Sequence, residues 1–346
     1  MSAMVDTLTL TVVATGLVLA FEFTNGFHDA SNMVATMIAS RAMRPGSALA
    51  LVAAATVFGP LLGGVAVANT VAGVVDLSGM DAHGALLVIV CGLVGAIGWN
   101  VCTWTLGVPS SSSFALFGAL SGAALHAGGL GRVNWGFAAI QEGHLEGLAE
   151  ILCALLLSPV LGFALGALAM TVSRRMLASA HPRVMRRLRH AQWVTSSGLA
   201  FAHGTNDAQK GMGIIALTLL LGGEQASLTV PTWVILLCAV TISIGTLTGG
   251  WRIIRTLGFG IYRIRPEHAL DSQLASSLVI FAAGQLGAPV STTHVVTTSI
   301  MGVGAAEHPR RVRWSRAREI VVTWFSTLPA SALVGGAVHA LLSRVI

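Results

Sequence analysis

The chain has 346 residues, of which 54% are hydrophobic and 10% charged, with a mean hydropathy of +0.78. A soluble protein carries roughly 25% charged residues, so a water-facing globule is excluded, and the apolar runs are long enough to cross a bilayer. The net charge of +6 does not indicate nucleic acid, because the basic residues fall in short clusters between apolar runs rather than along one binding stripe.

The chain reads as an all-α integral membrane protein of about ten transmembrane spans. In chain order, the first half predicts spans near residues 7–40, 46–72, 84–106, 107–130 and 147–173. The first apolar stretch, Leu8 to Ala20, runs straight into a polar motif with no small-residue cleavage site, so no removable signal is expected. A basic segment, residues 174–191, reads as a cytoplasmic linker between an N-terminal unit (1–173) and a C-terminal unit (192–346). The second half predicts spans near 192–221, 229–250, 270–287, 288–305 and 319–343. Cys91, Cys102, Cys153 and Cys238 all lie in apolar runs without a CxxC pair, and are expected to be small hydrophobes rather than disulfides or metal ligands.

Arginines set the orientation. Arg41 and Arg44 follow the first span, six arginines from Arg174 to Arg189 lie between the halves, four from Arg252 to Arg265 follow the seventh, and five from Arg310 to Arg318 follow the ninth. With both termini outside, all of these face the cytoplasm, and only Arg132, Arg344 and Lys210 of the chain's 20 basic residues do not. The excess of basic residues on the cytoplasmic side predicts that orientation in a cell (plasma or inner) membrane.

An internal repeat supports the count. Asn25-Gly-Phe-His-Asp-Ala-Ser-Asn32 aligns with His203-Gly-Thr-Asn-Asp-Ala-Gln-Lys210, 178 positions later. Gly107-Val-Pro-Ser-Ser-Ser-Ser113 aligns with Gly287-Ala-Pro-Val-Ser-Thr-Thr293, 180 positions later. An odd number of spans per half makes the second copy enter the membrane from the opposite side, giving two inverted repeats of five, an architecture of many secondary transporters.

Each repeat carries one acidic and one hydroxyl motif. Asp29 and Asp207 occupy matched positions at membrane depth, where a charge is costly and faces a cavity or a partner. The preceding glycines would let the backbone leave the helix, so interrupted helices are expected at a central site. One isolated aspartate would suit a helix cap equally well; two at repeat-related positions favour a site. Pro109-Ser-Ser-Ser-Ser113 and Pro289-Val-Ser-Thr-Thr293 also predict interruptions, because proline removes a backbone donor. Hydroxyls beside the start of a half-helix suit a tetrahedral oxyanion without adding fixed charge. One such run alone would read as helix packing through small residues; one in each repeat reverses that. Carboxylates and hydroxyls together point to an anion moving with a cation. A monoprotonated phosphate can donate its O–H to a carboxylate, whereas sulfate has no proton to give.

At these residues the chain resembles the inorganic phosphate transporter (PiT) family, which includes the animal type III sodium–phosphate cotransporters. The resemblance lies in Gly26-Phe-His-Asp29-Ala-Ser-Asn32, Gly204-Thr-Asn-Asp207-Ala-Gln-Lys210 and the two hydroxyl segments, and it covers both halves. It implies a secondary active phosphate carrier with substrate contacts from Asp29, Asn32, Ser110, Ser111, Ser112, Asp207, Ser291, Thr292 and Thr293. The short linker resembles a minimal bacterial form, and a homodimer is implied by the family alone. The linker arginines either anchor helix ends at anionic lipid or dock a cytoplasmic regulatory protein.

Lys210, the chain's single lysine, stands where sodium-coupled relatives carry asparagine, and His28 replaces the first motif's asparagine. An ammonium three residues from Asp207 lies on the same helix face and takes the place of a sodium ion. Proton symport is therefore expected over sodium, through Lys210 and Asp207, with Asn206, His28 and Glu22 as accessory groups. The bacterial resemblance allows phosphate to travel as a neutral complex with a divalent metal. His28, His203 and His294 adjoin the motifs without a closely spaced ligand set, so no resident metal or other cofactor is expected. The alternatives are a sodium-coupled symporter, a sulfate permease of the same fold and an anion channel. An intramembrane serine hydrolase is disfavoured because no serine sits in a Gly-x-Ser-x-Gly elbow.

Overall fold

The computed structural model describes residues 2–181 and 183–345; Met1, Pro182 and Ile346, which belong to the predicted repeats and linker, lie outside the described residues. Thirteen α-helices account for most of these residues, and the β contribution among them is one isolated bridge between Val75 and Val133. The first half holds α1 (Ser2–Ala39), α2 (Pro45–Leu62), α3 (Ala66–Ala72), α4 (Ala82–Leu106), α5 (Ser112–Gly128), α6 (Phe137–Gln141) and α7 (Gly147–Leu177). The second holds α8 (Val184–Leu221), α9 (Thr232–Thr248), α10 (Trp251–Gly260), α11 (Pro266–Gln285), α12 (Thr292–Glu307) and α13 (Trp314–Leu342).

Helix ends follow local chemistry. Proline occupies the first turn of α2 and of α11, where its missing N–H costs nothing. Asp81 caps α4 by accepting from Gly84 N at 3.2 Å, and Gly107 ends that helix in the left-handed region at φ 68°. Ser111 and Ser291 cap α5 and α12, accepting from Phe114 N at 3.2 Å and His294 N at 3.3 Å.

Among the described residues, five helical stretches are long and apolar enough to cross a membrane: Thr7–Ala39, Pro45–Leu62, Ala82–Leu106, Gly147–Leu177 and Trp314–Leu342. A sixth results if α9 and α10, bent by 69°, count as one span. The remaining expected spans differ for physical reasons. α12 has 16 residues, about 24 Å of helix, against a hydrocarbon core of about 30 Å. α8 is long but carries a buried polar band from His203 to Lys210. Arg252 and Arg255, expected in a loop, sit on α10, and α7 and α8 extend into both ends of the expected linker.

The helix pairing shows an internal correspondence. α1 packs on α9 as α8 packs on α2; α4 packs on α1 and α13 as α11 packs on α8 and α7; α5 packs on α13 as α12 packs on α7. The motif aspartates lie on α1 and α8, and the hydroxyl motifs open α5 and α12. Along α1, apolar residues up to Phe21 belong to one core cluster and those from Ala30 onward to another. On α8, the first cluster takes Ala208, Met212 and Ile215, and the second takes Leu199, Ala200 and Ala202. The polar motifs therefore occupy a band between two apolar bodies.

The backbone does not leave the helix at the aspartate motifs. Both α1 and α8 run unbroken through Asp29 and Asp207. Gly26 and Gly204 serve close approach instead: a Cβ on Gly26 would run into the carbonyl of Ile242 on α9, and one on Gly204 into that of Thr56 on α2. Of the four motifs, only the hydroxyl motifs interrupt the helices, between α4 and α5 and between α11 and α12.

Candidate functional site

Asp29 is buried at 1% exposure and is met by the hydroxyl motifs of both halves. Its Oδ1 accepts from Thr293 Oγ1 at 3.0 Å and lies 3.0 Å from His28 Nδ1. Its Oδ2 accepts from Thr292 Oγ1 at 3.0 Å and from Ser112 Oγ at 3.4 Å. Asn32, one turn on, donates through Nδ2 to Thr293 Oγ1 at 3.0 Å.

Asp207 occupies the matched position on α8, with a cation from its own helix. Lys210 Nζ closes on Asp207 Oδ1, donates to Ser113 Oγ at 2.5 Å and donates to the Val290 carbonyl at 3.0 Å. Ser113 itself donates to Val290 O at 3.1 Å. All three ammonium protons thus have acceptors, which a lysine with 0% exposure requires. His203 Nδ1 lies 2.6 Å from the other oxygen, Asp207 Oδ2.

Around this pair the motifs hold one another in place. Asn206 clamps the loop across Pro289, donating to Ala288 O at 3.0 Å and accepting from Val290 N at 3.2 Å. Trp324 donates from Nε1 to the Pro109 carbonyl at 3.3 Å while stacking on His294, ring centroids 3.9 Å apart. One α13 side chain therefore touches both hydroxyl loops.

The expected site residues separate into two groups. Asp29, Asn32, Ser112, Thr292 and Thr293 converge at one point, with Asp207 and Lys210 joined to the same band through Ser113 and Val290. Ser111 and Ser291 instead accept from backbone amides as helix caps. Ser110 turns away, donating to Thr103 Oγ1 at 2.8 Å, with His28 Nε2 3.4 Å from the same hydroxyl. Asn206 is committed to backbone. Glu22, fully buried, accepts from Gly211 N at 3.0 Å through Oε1 while its Oε2 has no protein partner. Ser113, Thr103 and His203 were not among the expected site residues. Ser113 aligns with Thr293 and His203 with Asn25, so the repeat itself carried a signal for both.

A ligand set absent from the linear spacing is present in space. One donor atom each from Asp29, His203 and Asp207 lies within 4.8 Å of the others, all three residues buried. Two carboxylates and an imidazole suit a divalent cation, so the donor chemistry fits a metal even though one Asp207 oxygen is engaged by Lys210. The buried band holds three carboxylates (Glu22, Asp29, Asp207) against one ammonium. It is electrically suited to receive positive charge together with an anion.

The sequence profile described as the phosphate transporter family matches residues 25–335. A probable low-affinity inorganic phosphate transporter of Bacillus subtilis is 37% identical over 341 residues, spanning 98% of each chain. One of Rhizobium meliloti is 40% identical over 319 residues, spanning 91% of each chain. A solved structure titled "The sodium-dependent phosphate transporter" superposes with a TM-score of 0.84 at 22% identity, covering 98% of this chain and all of that one. At that identity the likeness shows the fold.

Proposed function

The chain belongs to the phosphate transporter family, and from that premise we propose that it takes up inorganic phosphate by symport with protons. It is a multi-pass membrane protein of a family of transporters, not of enzymes. The observation that carries the substrate reading is the meeting of acidic and hydroxyl motifs at Asp29, held by Ser112 from α5 and by Thr292 and Thr293 from α12. Phosphate enters between these groups, its oxygens accepting from the hydroxyls and from first-turn amides of α5 and α12. Its own O–H donates to a carboxylate, which sulfate cannot imitate. Phosphate uptake that excess sulfate does not reduce tests this choice; equal competition by sulfate contradicts it.

Proton coupling is supported by Lys210. Its ammonium already neutralises Asp207 where a sodium ion would otherwise bind, and its three donors are filled. Protons then enter as the charge that compensates the remaining carboxylates, Glu22 with its unpartnered oxygen and Asp29. A partly loaded carrier keeps an uncompensated buried charge, which costs several kcal/mol and holds back the crossing.

A second reading concerns the transported species. Asp29, His203 and Asp207 form a set suited to a divalent cation, which favours phosphate travelling with a metal as cargo. The exchanged helix pairings support two inverted repeats of five around the site, and the arginine distribution supports both termini outside the inner membrane. Alternating access then amounts to the rocking of one repeat against the other about the shared band.

A further inference from the structure

We propose that the cytoplasmic half of the molecule holds a specific site for an anionic diacyl phospholipid, seated between α7, α8 and α11. The site lies outside the buried polar band. A groove of about 530 Å3 runs between these helices, walled by apolar side chains such as Leu168, Val172, Leu188, Leu274 and Leu278. Leu168, Val172, Leu274 and Leu278 are 58%, 45%, 47% and 59% exposed, so an apolar chain fits against them.

Met176 and Leu188 are among the residues lining the groove. Arg175 adjoins the first in the chain, and Arg186, Arg187 and Arg189 lie within two residues of the second, all four exposed and outside the lining itself. Among the described residues none of these four guanidinium groups has a carboxylate, carbonyl or ring partner. The reason is compositional: no aspartate or glutamate lies between Glu150 and Asp207. On the neighbouring α11 and α12, Glu267, Asp271 and Glu307 each have a protein partner on at least one oxygen, while Glu267 Oε2 and Asp271 Oδ2 have none. Asp271 in the groove wall is 2% exposed and accepts from Ser173 Oγ at 2.6 Å, and Glu267 and Glu307 are paired with Arg265. Trp193, 45% exposed one turn beyond Arg189, marks the headgroup depth. Unpaired arginines above an apolar slot at that depth match a negatively charged headgroup with its chains below.

The groove also leads to the transport machinery. Past Leu165 and Leu278 it meets a second apolar pocket of about 230 Å3 that ends on Ala288 and Val290. Val290 gives its carbonyl to Lys210 and Ser113. A lipid chain in this path braces the second hydroxyl loop from the bilayer side.

The test mixes detergent-purified full-length protein with equal amounts of phosphatidylglycerol and phosphatidylethanolamine, then reads the bound lipid by native mass spectrometry. Enrichment of phosphatidylglycerol is expected. It should fall on the order of fivefold for each arginine removed in R175Q, R187Q and R189Q, and fall likewise in Ala169→Trp, which fills the groove and leaves the arginines. Equal retention of both lipids overturns the proposal. So does retention in Ala169→Trp with loss in the arginine variants, which would mean adsorption at the surface. Occupation of the groove by a second protein copy in place of lipid also overturns it. None of these residues lies in the transport site, so phosphate uptake measured in parallel separates failure here from failure of the transport reading.

Discussion

The ammonium of Lys210 lies 2.5 Å from the hydroxyl of Ser113, so a cation from the second half is held by the hydroxyl motif of the first. The mirror contact joins Asn32 of the first half to Thr293 of the second, at 3.0 Å. Each acidic helix thus reads the hydroxyl motif of the opposite half, and the two contacts differ in charge: lysine donates to serine in one, asparagine to threonine in the other.

Removing the charge at that contact should remove the coupling. Lys210→Asn leaves Asp207 buried without its cation, a loss of about 3–5 kcal/mol unless another cation replaces it. Phosphate uptake driven by a proton gradient is expected to fall more than about tenfold, and sodium in the assay to restore part of it. Uptake rates at several pH values with and without sodium check this; an unchanged pH profile would remove Lys210 from the mechanism.

Ser113→Ala should weaken the same contact without deleting charge. The loss of one hydrogen bond to a charged group costs about 1.5–3 kcal/mol. Steady-state uptake is expected to show a lower maximal rate, with Ser113→Thr recovering most of it because the hydroxyl returns. Equal rates in all three proteins would make the contact incidental.

Asn206 is expected to act through the loop rather than on the ion. Asn206→Ala strands the Val290 amide and the Ala288 carbonyl, costing about 1–3 kcal/mol. Thermal unfolding in detergent should move down and uptake should fall, while the pH profile keeps its shape. A changed pH profile would return Asn206 to the coupling groups.

The motif glycines give a contrast in stability. Gly26→Ala and Gly204→Ala drive a methyl into the carbonyl of Ile242 or Thr56, and overpacking of this kind costs about 1–3 kcal/mol. Gly16→Ala, with nothing within 4 Å of its Cβ, should instead stabilise α1 by about 0.5–1 kcal/mol. Thermal unfolding of the three variants side by side is the measurement, and equal shifts would refute the close-approach account.

At the C-terminal end of α12, Glu307 accepts from Tyr262 Oη at 2.5 Å, pairs with Arg265 and lies 2.9 Å from His268 Nε2. Burial pushes its carboxyl up, but the Tyr262 hydroxyl, His268 and Arg265 outweigh that and hold it below the ordinary value of 4.5. A lowered folded-state value means the contribution is present above the unfolded carboxylate range and fades as pH falls through the folded one. Glu307→Gln should therefore unfold earlier than the parent at pH 7, with the gap closing below about pH 4. A gap that does not depend on pH would assign the effect to packing.

The fold and site were legible where the repeat spoke twice. Matched aspartates and matched hydroxyl runs identified four segments, and they meet in one band. The continuity of α1 and α8 was not legible, because a glycine such as Gly26 reads equally as a backbone hinge or as a close helix contact, and only the position of α9 decides. The span count is harder to read at α5 and α12, whose hydroxyl-capped starts leave helices of 17 and 16 residues, at the lower limit for crossing. The Asp29–His203–Asp207 set was invisible because spacing along a chain does not show which faces of α1 and α8 look at each other. Ser111 and Ser291, expected as ligands, also cap α5 and α12, since both roles favour the same residue at the same place.

The account stands or falls on the coupling ion. Radiolabelled phosphate uptake into proteoliposomes, with proton and sodium gradients imposed separately, measures it directly. Accumulation driven by an inward proton gradient and indifferent to sodium is the predicted result. Accumulation driven by sodium with no response to the proton gradient would contradict the role given to Lys210.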